Sequence, residues 1–242
     1  MKLALISDIH GNLEALTSVL KDIDNQKVDK IHCLGDVIGY GSDPSACLKL
    51  VDQNCDIKLM GNHEYVALDL ISTENYNEAA KISSDWTKNQ LTEDDFSIVS
   101  SFEMKHSFQD FLLVHASPFE PEQWHYIIAP DMAFQAFSYF DEKICFFGHS
   151  HLPQIYMELE DNFPRMQAGH DFLPDKENRY LINVGSVGQP RDNDPRACYL
   201  IFDIEEYEVI YRRIAYDISL AQKKMTEKHI PEMLIDRLEV GR

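Results

Sequence analysis

The 242-residue sequence has no run of apolar residues approaching the roughly 20 that a membrane-crossing helix needs. Its first apolar stretch, Leu3 to Ile6, is too short and too soon followed by charge to read as a secretory signal. No two of its five cysteines, Cys33, Cys47, Cys55, Cys145 and Cys198, form a C-x-x-C pair. An odd, scattered set of that kind is the pattern of reduced thiols in a cytoplasm. Basic residues are scarce, with 22 lysines and arginines against 41 aspartates and glutamates, and the formal net charge of -19 opposes duplex nucleic acid or any partner held mainly through a phosphate backbone. An acidic, well-solvated surface accounts for that charge without any partner. No internal repeat, low-complexity tract or linker rich in proline, glycine or serine divides the chain, so it reads as one domain over 1–242, long enough to bury a core without disulfide or structural-metal support. These absences predict a cytoplasmic protein free of membrane, and they leave the oligomeric state open.

What the chain does have is a series of short apolar runs that end in polar clusters: "LALISDIH", "KIHCLGD", "IKLMGNHE", "FLLVHAS", "ICFFGHSH" and "YLINVGS". Continuous hydrophobicity of this length fits strands buried on both faces. Between the first two runs, Leu13, Leu16, Val19, Leu20 and Ile23 keep helical spacing, with Asn12 as N-cap. Asp43 before Pro44 reads as the cap and first residue of a helix reaching about Asp52. From Tyr65 to Phe102 no strand is convincing, and helices are predicted over Asn77 to Gln90 and after a cap at Thr92, as a helical insertion over one rim. A further helix is predicted from Pro130 to Phe140, then strands in "ACYLIFDIE" and "YEVIYRRIAYD", then a helical stretch from about Ile218. Alternation of this kind implies an α/β layered domain.

The polar clusters carry the chemistry. In α/β sheets the strand ends are where side chains distant in sequence converge on a ligand. Asp8 and His10 follow the first run, Asp36 the second, Asn62 and His63 the third, His115 the fourth, and His149 and His151 the fifth. Each of the first five runs thus ends in a residue able to bind a divalent metal. Other histidines lack that context. His32 lies inside an apolar run and reads as a strand histidine, His125 as a packing or rim residue, and His106, His170 and His229 stand in no motif.

Taken in order, D-x-H, G-D, G-N-H-E, a lone H and G-H-x-H resemble the motifs of the calcineurin-like metallophosphoesterase superfamily. The stretch "NVGSVGQPRDNDPRACY", residues 183 to 199, looks like the ending of a bacterial branch of predicted phosphodiesterases. The resemblance implies a four-layer α/β/β/α sandwich of two mixed sheets flanked by helices. It also implies two divalent metal ions, one held by Asp8, His10 and His151, the other by Asn62, His115 and His149, with Asp36 bridging them. Oxygen and nitrogen ligands without thiolate suit manganese first, with iron, zinc or nickel as alternatives. Two such ions set against Asp8, Asp36 and a bridging hydroxide leave a net positive first shell, so a phosphate can dock on an acidic protein. The hydroxide would be the nucleophile and His63 the general acid.

The resemblance has one departure. Where the protein serine/threonine phosphatases read G-D-x-x-D-R-G, this chain reads "GDVIGYG", with Gly39 and Tyr40 in place of the orienting aspartate and the phosphate-gripping arginine. Arg191 is the candidate replacement for that arginine, set against a salt bridge to Asp192 or Asp194. The expected substrate is a small phosphodiester or nucleotide-like ester. Alternatives are a phosphomonoester, a dinucleoside polyphosphate, or, outside catalysis, a binding scaffold of the same fold.

Overall fold

Apolar runs without alternation are explained when alternate side chains serve two different cores. The computed structural model describes every residue except 75 and 161, and every side chain but those and that of residue 162. Residue 75 falls within the expected helical insertion and so lies outside the described residues. The first half of the chain runs β1 (Lys2–Ile6), α1 (Leu13–Gln26), β2 (Lys30–Cys33), α2 (Pro44–Asn54), β3 (Ile57–Lys58), α3 (Asn62–Ala67), α4 (Glu78–Gln90) and α5 (Glu93–Ser100). There follow β4 (Lys105–Phe108), β5 (Phe111–Val114), α6 (Pro130–Ala136), β6 (Ile144–Phe147), β7 (Gln154–Leu159), β8 (Asn162–Ala168) and β9 (Tyr180–Asn183). The last elements are β10 (Ala197–Asp203), β11 (Glu208–Ile214), α7 (Ile218–Glu227) and α8 (Glu232–Val240).

Two mixed sheets result. In the first, of order β11-β10-β1-β2-β3, β1, β2 and β3 are parallel and β10 runs antiparallel to β1. In the second, of order β4-β5-β6-β9-β7-β8, β5, β6 and β9 are parallel. Leu5, Phe111, Leu113, Phe146, Ile182 and Phe202 fill the layer between the sheets. Their chain neighbours point the other way. Ala4, Ile6 and Ile201 pack with Leu16 and Val19 of α1, Leu48 and Val51 of α2 and Val99 of α5. Leu112, Val114, Phe147 and Leu181 pack with Ala133 and Ala136 of α6. The layers are therefore helix, sheet, sheet, helix. A separate cluster of Ala221, Met225, Leu234 and Leu238 joins α7 to α8.

Most caps form as their chemistry predicts. The side chains of Asn12, Asn77 and Thr92 accept from Ala15, Ala80 and Asp95 N–H. Asp43 is the N-cap and Pro44 the first residue of α2, as expected, but the Asp43 side chain makes no cap bond, and its carboxylate pairs with Lys224 Nζ of α7 at 2.6 Å. All five cysteines are buried and unpaired. Among the described residues no helix is long and apolar enough to cross a membrane.

Candidate metal centre

The parallel strands of both sheets aim their C-terminal ends at one place. Asp8 and His10 follow β1, Asp36 follows β2, Asn62 and His63 open α3 just beyond β3, His115 follows β5, and His149 and His151 follow β6. Donor atoms of Asp8, His10 and His151 lie within 4.8 Å of one another, as do those of Asp36, His115 and His149 and those of His10, Asp36 and His63. All of these residues are buried. The turns that deliver them are strained: Asp8, His10, Asp36, His149 and His151 all have left-handed φ, between 49° and 63°. Each such residue costs about 1 kcal/mol or more, so the surrounding structure must impose it. Part of that frame is backbone pairing, with Asp8 N–H donating to Gly35 O and His10 N–H to Asp36 O, both at 3.0 Å. Gly61 makes room for the carboxylate, since a β-carbon there would lie 2.2 Å from Asp36 Oδ1.

Carbonyl oxygens only accept, so the ring nitrogens facing them are protonated. His10 Nδ1 donates to Ile38 O at 3.2 Å, His115 Nδ1 to Leu34 O at 2.7 Å, and His151 Nδ1 to Gln189 O at 2.6 Å. All three rings therefore turn Nε2 to the centre, the orientation that a second partner imposes on a metal-binding histidine. Nε2 of His10 and Nε2 of His151 then face each other at 3.0 Å, an arrangement of two lone pairs that suits a cation between them. Nε2 of His149 and Oδ1 of Asn62 are buried without a hydrogen-bond partner, and Nε2 of His115 faces Asp36 Oδ2 at 3.2 Å. Asn62 is held with that oxygen inward because its Nδ2 donates to the Tyr76 hydroxyl at 3.2 Å. This donor set fits two divalent ions.

The electrostatics agree for three of the histidines, while His115 keeps a proton that a metal would have to displace. Burial pushes the imidazoles of His10, His149 and His151 down, His149 to about 3, so all three offer neutral lone pairs. Burial alone would raise the Asp36 carboxyl, but His115, His63 and His10 hold it well below the usual carboxylate range. Asp8 is pushed up to about 7, chiefly by burial. His115 rises to about 9 against its burial because Asp36 Oδ2 sits 3.2 Å from Nε2.

The model of the calcineurin-like phosphoesterase superfamily domain matches residues 1–207. The chain belongs to this superfamily. Beyond the match, this calcineurin-like phosphoesterase is 37% identical to a Sphaerobacter thermophilus metallophosphoesterase, whose crystal structure superposes with a TM-score of 0.88 over 100% of this chain and 99% of that one. It is 39% identical to an uncharacterized protein of Methanocaldococcus jannaschii, over 99% of this chain and 98% of the other. A Pyrococcus horikoshii protein at 17% identity shares the fold, with a TM-score of 0.79 over 100% of this chain and 98% of that one.

Within this phosphoesterase the eight motif residues converge, and Arg191 joins them along a cleft shared with Asp36, Tyr40, Asn62, His63 and His149. Asp192 is paired with Arg213 and Asp194 with Arg196, so neither carboxylate is left for Arg191, whose Nη2 donates instead to Gln189 Oε1 at 2.8 Å. His32 is a buried residue of β2, and His125 an exposed rim residue beside Glu120. Gly39 leaves no room for an orienting side chain, since a β-carbon there would lie 2.2 Å from His63 Nδ1. The Tyr40 ring packs edge-on to His63 instead, 4.5 Å between centroids.

Sequence reading missed Glu64 and Gln189. The Glu64 carboxylate accepts from the backbone N–H of Asp36, Val37, Ile38 and Gly61 at 2.8 to 3.2 Å, tying the Asp36 turn to the start of α3. Burial, helped by Asp36, pushes Glu64 up to about 7. Gln189 orients His151 through its carbonyl and Arg191 through its side chain. The "GNHE" motif contained the signal for Glu64. Nothing local marked Gln189.

Proposed function

We propose that this calcineurin-like phosphoesterase hydrolyses a small phosphodiester or nucleotide-like ester at a two-metal centre, with manganese the first ion to supply. The observation that carries the reading is Asp36, whose carboxylate lies within reach of His10 on one side and of His115 and His149 on the other. Asp8, His10 and His151 would hold one ion, and Asn62, His115 and His149 the other. When bound, the ions supply positive charge for the phosphate and lower the pKa of water for in-line attack on phosphorus.

The chain's own residues do the rest. Arg191, free of any ion pair among the described residues, presents a planar guanidinium that can hold two phosphate oxygens. His63, buried beside Asp36 and Tyr40, hands a proton to the departing alkoxide. Burial pushes its imidazole down, with His115 and Arg191 adding and Asp36 opposing. An anionic ester docked alongside pulls it back up, so His63 charges as the substrate arrives.

Chelation should abolish phosphodiester hydrolysis and manganese should restore it, and Asp36→Asn should lower metal occupancy at both positions where His10→Ala lowers chiefly one. Elemental analysis of the purified variants decides this. Two ions per chain in Asp36→Asn at wild-type affinity would remove the bridging role, and full activity in metal-free protein would remove the mechanism.

A further inference from the structure

Beside the metal centre lies a second cavity of about 380 Å³, within the range of small-molecule sites, and it shares Tyr40, Asn62, Tyr126 and His149 with the metal cleft. Its walls are rings from three parts of the chain: Tyr40 after β2, Tyr76 before α4, and Trp124 and Tyr126 between β5 and α6. Although 26% of the chain is charged, no aspartate, glutamate, lysine or arginine among the described residues lines this cavity. Such a wall offers no positive charge to a second phosphate group.

Two of the rings are held in place. Tyr126 stacks on His149 at 4.1 Å and is 48% exposed, so the ring presents apolar surface to an incoming ligand. Trp124 packs edge-on against Tyr65 at 5.0 Å, and its indole Nε1–H is buried without a partner. Besides Asn62, two further amides belong to the lining. Asn77 uses its side-chain oxygen to cap α4, accepting from Ala80 N–H at 2.9 Å, which leaves its NH₂ group as a donor, and Gln123 lies beside Trp124. A flat, uncharged group with a hydrogen-bonding edge matches this combination: its faces stack on tyrosine and tryptophan, and its edge meets the amides.

We propose that this cavity binds a nucleobase, so that the ester cleaved at the adjoining centre is a nucleoside phosphoester. The proposal rests on the phosphoesterase reading for the other half of the substrate. It adds a recognition site on the side of Asn62 and His149, with selectivity for a ring and none for further phosphates.

Trp86 and Trp124 are the two tryptophans, and Trp86 packs toward the α7–α8 cluster, so a Trp86→Phe protein reports on Trp124 alone. In that protein adenosine and uridine should quench indole fluorescence saturably, ribose should not, and chelator should leave the quench in place. On manganese-loaded protein, adenosine monophosphate should bind roughly 5- to 150-fold more tightly than ribose 5-phosphate, the range expected for one stacked base, and Tyr126→Ala should erase most of that difference.

Equal binding of the two phosphates, or no saturable quench by nucleoside, overturns the proposal. Benzyl alcohol binding as well as adenosine overturns the nucleobase assignment in favour of a plain aryl group. Nucleoside quenching in a protein that hydrolyses no phosphoester would remove the enzymatic reading alone, whereas metal-dependent hydrolysis indifferent to the ring would remove the cavity's role alone.

Discussion

A β-carbon added at Gly39 would press on His63 Nδ1, and the backbone there has a φ of 87°, so Gly39→Ala is expected to displace the imidazole that His63→Ala removes. Both variants should slow an alkyl or nucleoside ester by roughly 10²–10⁴-fold, while a nitrophenyl ester, whose leaving group departs without a proton, should lose much less. Metal content should hold in both. Because His63 also lies within ligand distance of His10 and Asp36, elemental analysis is the decisive control. A loss of metal in His63→Ala would make it a ligand instead. The pH dependence has a definite sign: a donor must be protonated, and burial lowers His63 in the free protein, so kcat/KM on the alkyl ester should fall as pH rises through a value below 6.5. The kcat limb should lie higher. At this scale the sequence showed where a residue brings its own side chain to the centre, as Asp8, Asp36 and His149 do. It was silent where a residue acts on backbone, because the partners of Glu64 are N–H groups that every residue type carries.

Helices α7 and α8 lie beyond residue 207, where the superfamily match ends, yet α8 reaches the cleft. Arg237 Nη1 donates to Gln189 Oε1 at 3.2 Å, the same oxygen that receives Arg191. Burial and the neighbouring Arg191 both push the Arg237 guanidinium down from its usual value. Arg237 therefore acts as a positioning residue, holding the amide that aims Arg191. Loss of that one bond should raise KM by about fivefold with a smaller effect on kcat, and Arg237→Lys should rescue part of it where Arg237→Ala does not. Equal effects of both variants on KM and kcat would mean that α8 merely supports the fold. Other elements differ in how openly the chain declares them. The helices α1, α4 and α5 announce themselves through Asn12, Asn77 and Thr92. The hairpin of β7 and β8 does not, because β8 is an edge strand with a proline at 164 and several exposed side chains, and it keeps neither alternation nor an apolar run. β3 does lie in the run "IKLMGNHE", but it is shorter than that run, since only Ile57 and Lys58 pair before the chain turns into α3.

Across the whole molecule, candidate ligands from both sheets meet at one centre, so a metal bound there would join the two halves of the sandwich. Saturating manganese, at about 100 times its dissociation constant, should raise the melting temperature by roughly 5–10 °C, and chelation should reverse the gain. Acid should remove the part of the stability that rests on neutral imidazoles. Burial holds His10, His149 and His151 below 6.5, so below that pH the unfolded chain takes up protons that the folded chain refuses. Their contribution to stability is complete above pH 6.5 and is lost as pH falls from there toward about 3, where His149 itself titrates. Asp8 and Glu64, pushed up to about 7, act in the opposite direction over the same range, so the histidine contribution is read in chelator as the stability difference between wild type and His149→Gln, which should fall as pH drops from 7 to 4; a constant difference would contradict it. The strand order of the first sheet has a consequence of another kind. β1 is flanked by β2, made within the next few dozen residues, and by β10, which begins at Ala197. At roughly 5–20 residues per second of synthesis, a nascent chain waits on the order of 10–40 s for that second neighbour. Throughout, one edge of Lys2–Ile6 stays unpaired, the kind of edge that recruits strands from other chains. The carbonyl of Asp8 likewise lacks the donors that later reach it from Ser186 Oγ and Gly188 N–H. Asp8 and His10, the first of the candidate ligands to be made, are thus among the last to be fixed, and a chain halted before β10 would expose the central strand of the first sheet.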